Sequence, residues 1–343
     1  MKSNKSRDNK AYDRLQETLK KDEIGKCYIF HGEEQYLLRY SLNRIRDLLC
    51  PDGLGGFNYK RYDAKSFSAQ VLAEAAYAMP LFAKRTLIEV HEVDIFKHTE
   101  RDRICQLLAD LPEYICVIFI YSAIEYSPDG RLKTTKELMK YACVVEFAVQ
   151  DETKLVSWIK RHFDKADKDI SYADAKYLTE ISGGQMTALY NDICKVLSYA
   201  KERQITRDDI NAVVIPILDV EVYRLSDAIV RGNHKDALQI LDKLLQMSEA
   251  PHKLMHSICL KIRQLLAARV CIDNKINKAE FKKMCGIRYD FHVDILLGAA
   301  RKTSLAFCRN AVIMCAQTSK ELNSIDEKEA CIIELVTKLA LEA

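Results

Sequence analysis

The sequence lacks several features that define common protein classes. It contains 12 cysteines but no C-x-x-C pair, and most of its cysteines lie inside apolar runs. Because zinc sites and disulfide frameworks use recurrent cysteine spacings, we interpret these cysteines as small buried apolar side chains and expect no metal. No signal peptide opens the chain, and no apolar run approaches the roughly 20 residues of a membrane helix. These absences predict a protein of the reducing cytoplasm without membrane contact.

The sequence also has little net charge. Its 52 Lys and Arg residues face 49 Asp and Glu residues, which gives a net charge of +3. That balance neither requires nor excludes a nucleic-acid partner, because local patches matter more than the sum. Basic residues do crowd residues 253–288, which could be a solvated face or a contact with DNA or an acidic partner. The candidate contact residues are Lys261, Arg263, Arg269, Lys282 and Lys283.

A phosphate-binding loop is missing from the place where an NTPase would carry one. Residues 27–30 have the pattern of a buried strand, Gly32 predicts a turn, and residues 36–49 predict an amphipathic helix. A P-loop at this position needs G-x-x-x-x-G-K-[ST], whereas the segment reads HGEEQYLL. Glu33 and Glu34 stand where phosphate charge would lie and would repel it. The sequence therefore predicts no ATP binding at this turn.

Other catalytic constellations are equally absent. His252 and His256 have the spacing of H-E-x-x-H, but Lys253 replaces the general base and no third ligand is apparent. No G-x-S-x-G elbow is present. The acids of His91-Glu92-Val93-Asp94 could hold magnesium in an NTPase, although without a phosphate loop a solvated acidic loop end is the better interpretation. We expect no catalytic residue and no cofactor.

Strands and helices alternate up to about residue 148 and then give way to helices. We predict strands at 27–30, 59–62, 87–90, 116–121 and 143–147, which indicates a parallel sheet covered by helices. We expect only helices after Phe147, with Ser171 as an N-cap, Gly183-Gly184 ending a helix and a capping box at Thr206 and Asp209. The predicted divisions are a tail and short helix at 1–21, an α/β domain at 22–148, a small helical domain at 149–215 and a helical bundle at 216–343.

An apolar segment separates the second helix of the α/β domain from its third strand. Residues 79–85 read MPLFAKR, and the preceding helix should end at Met79 because Pro80 forces its neighbour out of the helical region. Connections usually run over the surface. The side chains of Leu81 and Phe82 are therefore either tucked under the domain or offered to a partner.

Two motifs near the N-terminus resemble a known family. Residues 28–37 (YIFHGEEQYL) resemble Y-L-x-x-G-E-E-x-Y-L, which opens the delta-subunit family of bacterial DNA polymerase III clamp loaders. Phe57-Asn58 and Tyr62-Asp63 are similar to the F-N and D of the family's second strand. The resemblance runs from about Leu15 to the C-terminus.

Two further motifs extend the resemblance. Residues 79–85 are similar to the family's x-P-x-F-x-x-R-R-L-V-x-V segment, with Thr86 where the family often has Arg or Lys. Residues 181–184 (ISGG) are similar to G-G-D-L, with Gln185 in place of Asp. The C-terminal helical bundle adds little by sequence.

The resemblance implies a function by binding. It implies an AAA+-like α/β domain with a degenerate P-loop, a small helical lid and a C-terminal helical collar. It also implies docking on the sliding clamp through Leu81 and Phe82, with Met79 and Pro80 shaping the approach. The implied partners are the clamp, gamma/tau- and delta-prime-type subunits in a hetero-pentamer, and primed DNA. The subunit would have no active site of its own, although it belongs to a DNA-directed DNA polymerase assembly.

Other interpretations remain open from the residues. A divergent AAA+-type NTPase would bind nucleotide and depend on Asp94. A delta-prime or gamma/tau subunit would show a zinc-binding cysteine set and a Ser-Arg-Cys arginine finger, and the sequence has neither. A helical adaptor in another DNA-processing complex would use the basic residues at 253–288 as its partner surface.

Overall fold

The computed structural model describes residues 5–50, 55–81, 83–246, 250–287 and 289–342. The chain divides into two compact units, Met1–Gln150 and Asp151–Ala343. The predicted division at residues 215 and 216 falls inside the second unit and stays a prediction. None of the helices in these ranges is long and apolar enough to cross a membrane.

The first unit is built on a five-stranded parallel sheet in the order β2-β3-β4-β1-β5. Its central strand is buried over its whole length and reads ICVIFIY. Such an uninterrupted apolar run is typical of a parallel strand covered on both faces. The strands are β1 (Cys27–His31), β2 (Tyr59–Tyr62), β3 (Thr86–His91), β4 (Ile115–Tyr121) and β5 (Cys143–Glu146). All five predicted strands are confirmed.

Six helices in the described part of the first unit accompany the sheet. They are α1 (Lys5–Lys21), α2 (Gln35–Leu49), α3 (Gly55–Asn58), α4 (Ala69–Tyr77), α5 (Arg101–Ala109) and α6 (Lys133–Tyr141). The tail expected at the start of residues 1–21 is wrong from Lys5 onward, because residues 5–10 contain no Gly or Pro and continue the helix. The helix before Pro80, which was expected to end at Met79, is α4 and ends at Tyr77 instead. Ala78 already has extended dihedral angles, so the chain leaves the helix before Pro80 requires it.

The second unit begins with four helices and two very short strands. The helices are α7 (Glu152–Asp164), α8 (Tyr172–Ile181), α9 (Met186–Tyr199) and α10 (Arg207–Val213). Ser171 accepts a hydrogen bond from the Asp174 amide, and Thr206 with Asp209 forms the capping box, as predicted. The expectation of no further strands is wrong, because β6 (Asp169–Ile170) and β7 (Gln204–Ile205) form a two-residue parallel pair. This pair buries Ile170 and Ile205.

Seven further helices form the bundle in the described part of residues 218–342. They are α11 (Leu218–Val230), α12 (His234–Gln246), α13 (Pro251–Asp273), α14 (Lys278–Met284), α15 (Asp290–Ala300), α16 (Leu305–Glu321) and α17 (Lys328–Glu342). Helix α13 packs against α11, α15, α16 and α17. Its 23 residues bury positions around most of its circumference, which marks it as the centre of the bundle.

Gly32 fixes the turn between β1 and α2. Its φ of +124° is open to glycine alone, and a Cβ atom there would lie 2.4 Å from the carbonyl oxygen of Phe147. The neighbouring backbone uses this close approach, since the Phe147 amide donates to the His31 carbonyl at 2.7 Å. The Glu34 amide donates to the Phe147 carbonyl at 2.9 Å. The turn is therefore tied to the chain that leaves β5.

We predict that Gly32→Ala lowers the free energy of unfolding by at least about 2 kcal/mol, because it adds both backbone strain and a steric clash. Urea unfolding followed by circular dichroism measures the change. Gly130→Ala is the control, since a Cβ atom there meets nothing within 4 Å. It should change stability by less than about 0.5 kcal/mol. Equal stability of the two variants would contradict the described turn.

Candidate functional site

An exposed apolar segment lies between α4 and β3. Met79 is 80% exposed and Leu81 is 50% exposed, while Pro80 is partly covered. Phe82, the other half of the predicted docking pair, lies outside the described residues. Of the two interpretations of the sequence, the exposure of Met79 and Leu81 supports an offered surface over burial in the core.

The backbone of this segment is held at two places. Both ends of the Asn58 side-chain amide bind Leu81: Nδ2 donates to the Leu81 carbonyl at 2.6 Å, and the Leu81 amide donates to Oδ1 at 2.8 Å. Further along, the Arg85 guanidinium donates to the carbonyls of Gly25 at 2.9 Å and Ile115 at 2.7 Å, and to that of Ile24. Buried Asn58 thus fixes the backbone at Leu81, and half-buried Arg85 ties the start of β3 to two other connections of the unit.

Phe57 adds a further exposed apolar side chain near the segment. It is 65% exposed and directly precedes Asn58, whose side chain reaches Leu81. The sequence analysis used Phe57 only as part of a family motif and assigned it no site. Its separation from Leu81 along the chain hid the connection, which only the Asn58 hydrogen bonds reveal.

A buried carboxylate lies on β3, just beyond the segment. Glu89 is fully buried, and its carboxylate accepts hydrogen bonds from Arg46 Nη2 at 2.8 Å and from the Tyr59 hydroxyl at 2.9 Å. His91 Nε2 lies 3.0 Å from Oε2 of the same carboxylate, the oxygen that also accepts from Tyr59. Burial by itself raises the pKa of Glu89, but the hydrogen bonds from His91 and Arg46 outweigh it, so the pKa lies below its ordinary value. The sequence analysis did not find this network.

The turn where an NTPase would hold phosphate is occupied by the chain itself. Oε1 of Glu34 accepts a hydrogen bond from the Tyr36 amide at the start of α2, the place where a phosphate would sit. The Glu34 amide is already bonded to Phe147. The side-chain amide of Gln35 donates to the Gly32 carbonyl at 2.9 Å. The groups that would cradle an anion are thus engaged in internal bonds.

The acids after β3 are less solvated than the sequence suggested. Glu92, at a φ of +57°, accepts hydrogen bonds from the amides of Ser122 at 3.2 Å, Ala123 at 2.9 Å and Ile124 at 3.0 Å. Burial alone would raise the pKa of Glu92. The hydrogen bonds from Ser122 and from these amides lower it by more, so the pKa lies below its ordinary value. Glu92 therefore joins the ends of β3 and β4 while it stays half-exposed, so this acid of the solvated loop also has a structural role.

The comparisons with known proteins address both units. Residues 28–148 match the family "DNA polymerase III, delta subunit", and residues 219–338 match "DNA polymerase III delta subunit, C-terminal domain". Together these matches span more than half of the chain. The chain belongs to the DNA polymerase III delta-subunit family.

Individual members of the delta-subunit family cover most of the chain. DNA polymerase III subunit delta of Bacillus subtilis is 23% identical over 93% of this chain and 93% of its own length. A probable DNA polymerase III subunit delta of Aquifex aeolicus is 21% identical over 70% of each chain. The solved Bacillus subtilis DNA clamp loader delta protein superimposes with a TM-score of 0.71, at 21% identity, over 96% of this chain and 99% of its own. This likeness confirms the predicted fold class of an α/β domain with a parallel sheet followed by helical domains.

The predicted basic residues do not form one exposed surface. Lys261 is only 4% exposed, and its ammonium lies 3.9 Å from the centre of the Tyr223 ring. Its placement on a solvent-facing patch is therefore wrong: Lys261 points into the bundle, where the aromatic face compensates part of its desolvation. Arg269 is paired with Asp273 and Lys282 with Asp290, whereas Arg263 and Lys283 are exposed.

We predict that Glu89→Gln costs about 1–3 kcal/mol of stability, since it removes the buried carboxylate that accepts from Arg46, Tyr59 and His91, while the Arg46 side chain stays 37% exposed to water. Because the folded pKa of Glu89 lies below the ordinary value of 4.5, its contribution is complete above about pH 5 and disappears as the pH falls through the folded pKa. Urea unfolding from pH 7 to pH 3 should therefore show a shallower pH dependence in the variant than in the wild type.

Glu113→Gln is the matched control for this prediction. The Glu113 side chain is 88% exposed and pairs with Lys26 at the surface, where an ion pair contributes little. Equal pH profiles for the wild type and Glu89→Gln would show that the buried network does not stabilise the unit.

Proposed function

We propose that this delta-family chain is the clamp-loader subunit that binds the sliding clamp and opens it for loading onto primed DNA, without hydrolysing ATP itself. The observation that carries the proposal is the exposed Met79–Leu81 segment on an anchored backbone. Apolar side chains that enter a pocket on a partner supply most of the binding energy of an interface. Leu81 and Phe82 are the anchors in this proposal, and Met79 and Pro80 shape the approach.

The absence of ATP hydrolysis is supported by the occupied turn. The Glu34 carboxylate caps the start of α2 and the Glu34 amide is bonded to Phe147. A nucleotide would have to displace both bonds and lie against a carboxylate, which opposes phosphate binding. Energy for the loading cycle then has to come from other subunits.

Clamp opening requires a preference between two states of the clamp. A ligand that binds the closed and the open ring equally well shifts nothing, however tightly it binds. We therefore propose that the docking segment fits the open ring better than the closed one.

The remaining partners follow from the same proposal. The C-terminal bundle would be the collar through which gamma/tau- and delta-prime-type subunits assemble with this chain into a hetero-pentamer. Primed DNA would meet the exposed basic residues of the bundle, chiefly Arg263 and Lys283. The assembly would act in the cytoplasm.

We predict that Leu81→Ala with Phe82→Ala weakens binding of the isolated protein to the sliding clamp by about 2–4 kcal/mol, or roughly 30-fold to 1,000-fold. Isothermal titration calorimetry with the purified clamp measures the loss. The unfolding midpoint should not change, because Leu81 contributes little to the core at 50% exposure.

Leu132→Ala serves as the matched control, since Leu132 is 39% exposed elsewhere in the first unit. It should bind the clamp like the wild type. Wild-type affinity in the double variant would move the docking site elsewhere. A wild-type protein that ignores the clamp would refute the proposed function.

The DNA contact gives a separate prediction for the assembled loader. Charge reversal at Arg263 and Lys283 should weaken DNA binding and reduce the slope of log K against log salt by up to about 2, since each phosphate contact contributes about 0.9. Filter binding measured at several salt concentrations between about 50 and 200 mM gives this slope. Reversal at Lys160 on α7 and at Lys165 directly after it, both exposed, is the control. An unchanged slope at Arg263 and Lys283 would return them to a solvated face.

A further inference from the structure

The docking segment has a physical problem that its anchors must solve. Apolar side chains in a free loop would fold back onto the domain, and a partner would have to order the loop at its own cost on binding. Leu81 nevertheless stays half exposed, and Met79, two residues before it, is 80% exposed. Something must hold the backbone while leaving the side chains outside.

Asn58 is built to do this. It is 1% exposed, and its side-chain amide gives one donor and one acceptor to the same residue, Leu81. Two hydrogen bonds to one residue fix both the position and the orientation of its backbone. Neither bond involves the Leu81 side chain, which remains available to a partner.

The position of Asn58 is itself fixed by the sheet. It is the last residue of α3 and directly precedes Tyr59, the first residue of β2. Tyr59 pairs with Leu87 of β3. Tyr59 is held by the Glu89 carboxylate, and the Asn58 carbonyl accepts from Cys50 Sγ at 3.4 Å. The bonds to Leu81 thus connect the start of β2 to the loop that leads into β3.

We propose that Asn58 is a positioning residue that pre-organises the backbone of Leu81 in the Met79–Leu81 segment for the sliding clamp. The clamp as partner rests on the proposed function above, whereas the positioning of Leu81 does not. Asparagine suits the role because its short side chain carries both a donor and an acceptor. Aspartate keeps the volume but loses the donor to the Leu81 carbonyl, and alanine loses both groups.

The first test is hydrogen exchange of the Leu81 amide in the full chain. In Asn58→Ala, which removes the acceptor of the Leu81 amide, we expect this amide to exchange at least tenfold faster, while the amides of β3 and β4 keep their wild-type rates. In Asn58→Asp, which keeps that acceptor and loses only the bond to the Leu81 carbonyl, we expect a smaller increase. Tyr121→Phe is the control, because it removes another buried hydrogen bond of the unit, from the Ile95 amide at 3.1 Å. It should leave the Leu81 amide unchanged. Wild-type exchange of Leu81 in both Asn58 variants would overturn the proposal.

The second test measures binding to the purified clamp. We expect Asn58→Ala and Asn58→Asp to weaken binding about tenfold, since the clamp then has to order the segment itself. The same change made in the Leu81→Ala, Phe82→Ala background should have less than a twofold effect, because Asn58 acts through those side chains. Equal effects in both backgrounds, or an equal loss in Tyr121→Phe, would overturn the proposal.

The two tests separate two failures. If the wild type does not bind the clamp, the proposed function fails, and hydrogen exchange alone decides whether Asn58 positions Leu81. If the wild type binds and the Asn58 variants bind equally well, the function stands and the positioning role is refuted.

Discussion

The buried carboxylate of Glu89 is the constraint on which the exposed surface depends. A carboxylate removed from water is costly unless it is paired, and this one is satisfied by Arg46 from α2, Tyr59 from β2 and His91 at the end of its own strand. Moving any of these elements would leave charge or a hydroxyl unsatisfied. The network therefore specifies how α2 and β2 pack against β3.

That specification matters because β2 is weakly specified by apolar pattern. The strand reads YKRY, and none of its residues is fully buried. Since a strand without a strong apolar face has a poorly defined register, the hydrogen bond from Tyr59 to Glu89 supplies what burial does not. Asn58 directly precedes Tyr59, so the bond from Tyr59 to Glu89 also fixes the position, relative to β3, at which the Asn58 side chain meets Leu81. The buried carboxylate of Glu89 is in this way connected to the exposure of the apolar side chains of Met79 and Leu81.

The sequence predicted local structure well and long-range contacts poorly. The N-cap at Ser171 and the capping box of Thr206 and Asp209 lie where they were predicted, because caps act within a few residues. The sequence also singled out the segment, since Leu81 and Phe82 follow a proline in a short connection, but it left open whether these side chains are buried or exposed. The bonds of Glu89 to Arg46 and Tyr59 and those of Asn58 to Leu81 join residues 23 to 43 positions apart, and no local pattern indicates them. Lys261 was misplaced for a related reason: its burial depends on Tyr223, which belongs to another helix.

The size of the docking segment shows why its backbone has to be fixed. Full burial of a Leu, Met or Phe side chain contributes roughly 1.5–3 kcal/mol, so three such residues supply about 5–9 kcal/mol. Association itself costs about 4–15 kcal/mol before loop ordering is added. A flexible segment of this size would leave little net affinity, whereas an ordered one avoids part of the cost. Moving a ring from 1:99 to 99:1 open requires about 5.5 kcal/mol of differential affinity, which is most of what the segment can provide. For the clamp opening proposed above, the closed ring therefore has to lose most of these contacts, and that discrimination requires a rigid segment, since a pliable one would adapt to both states.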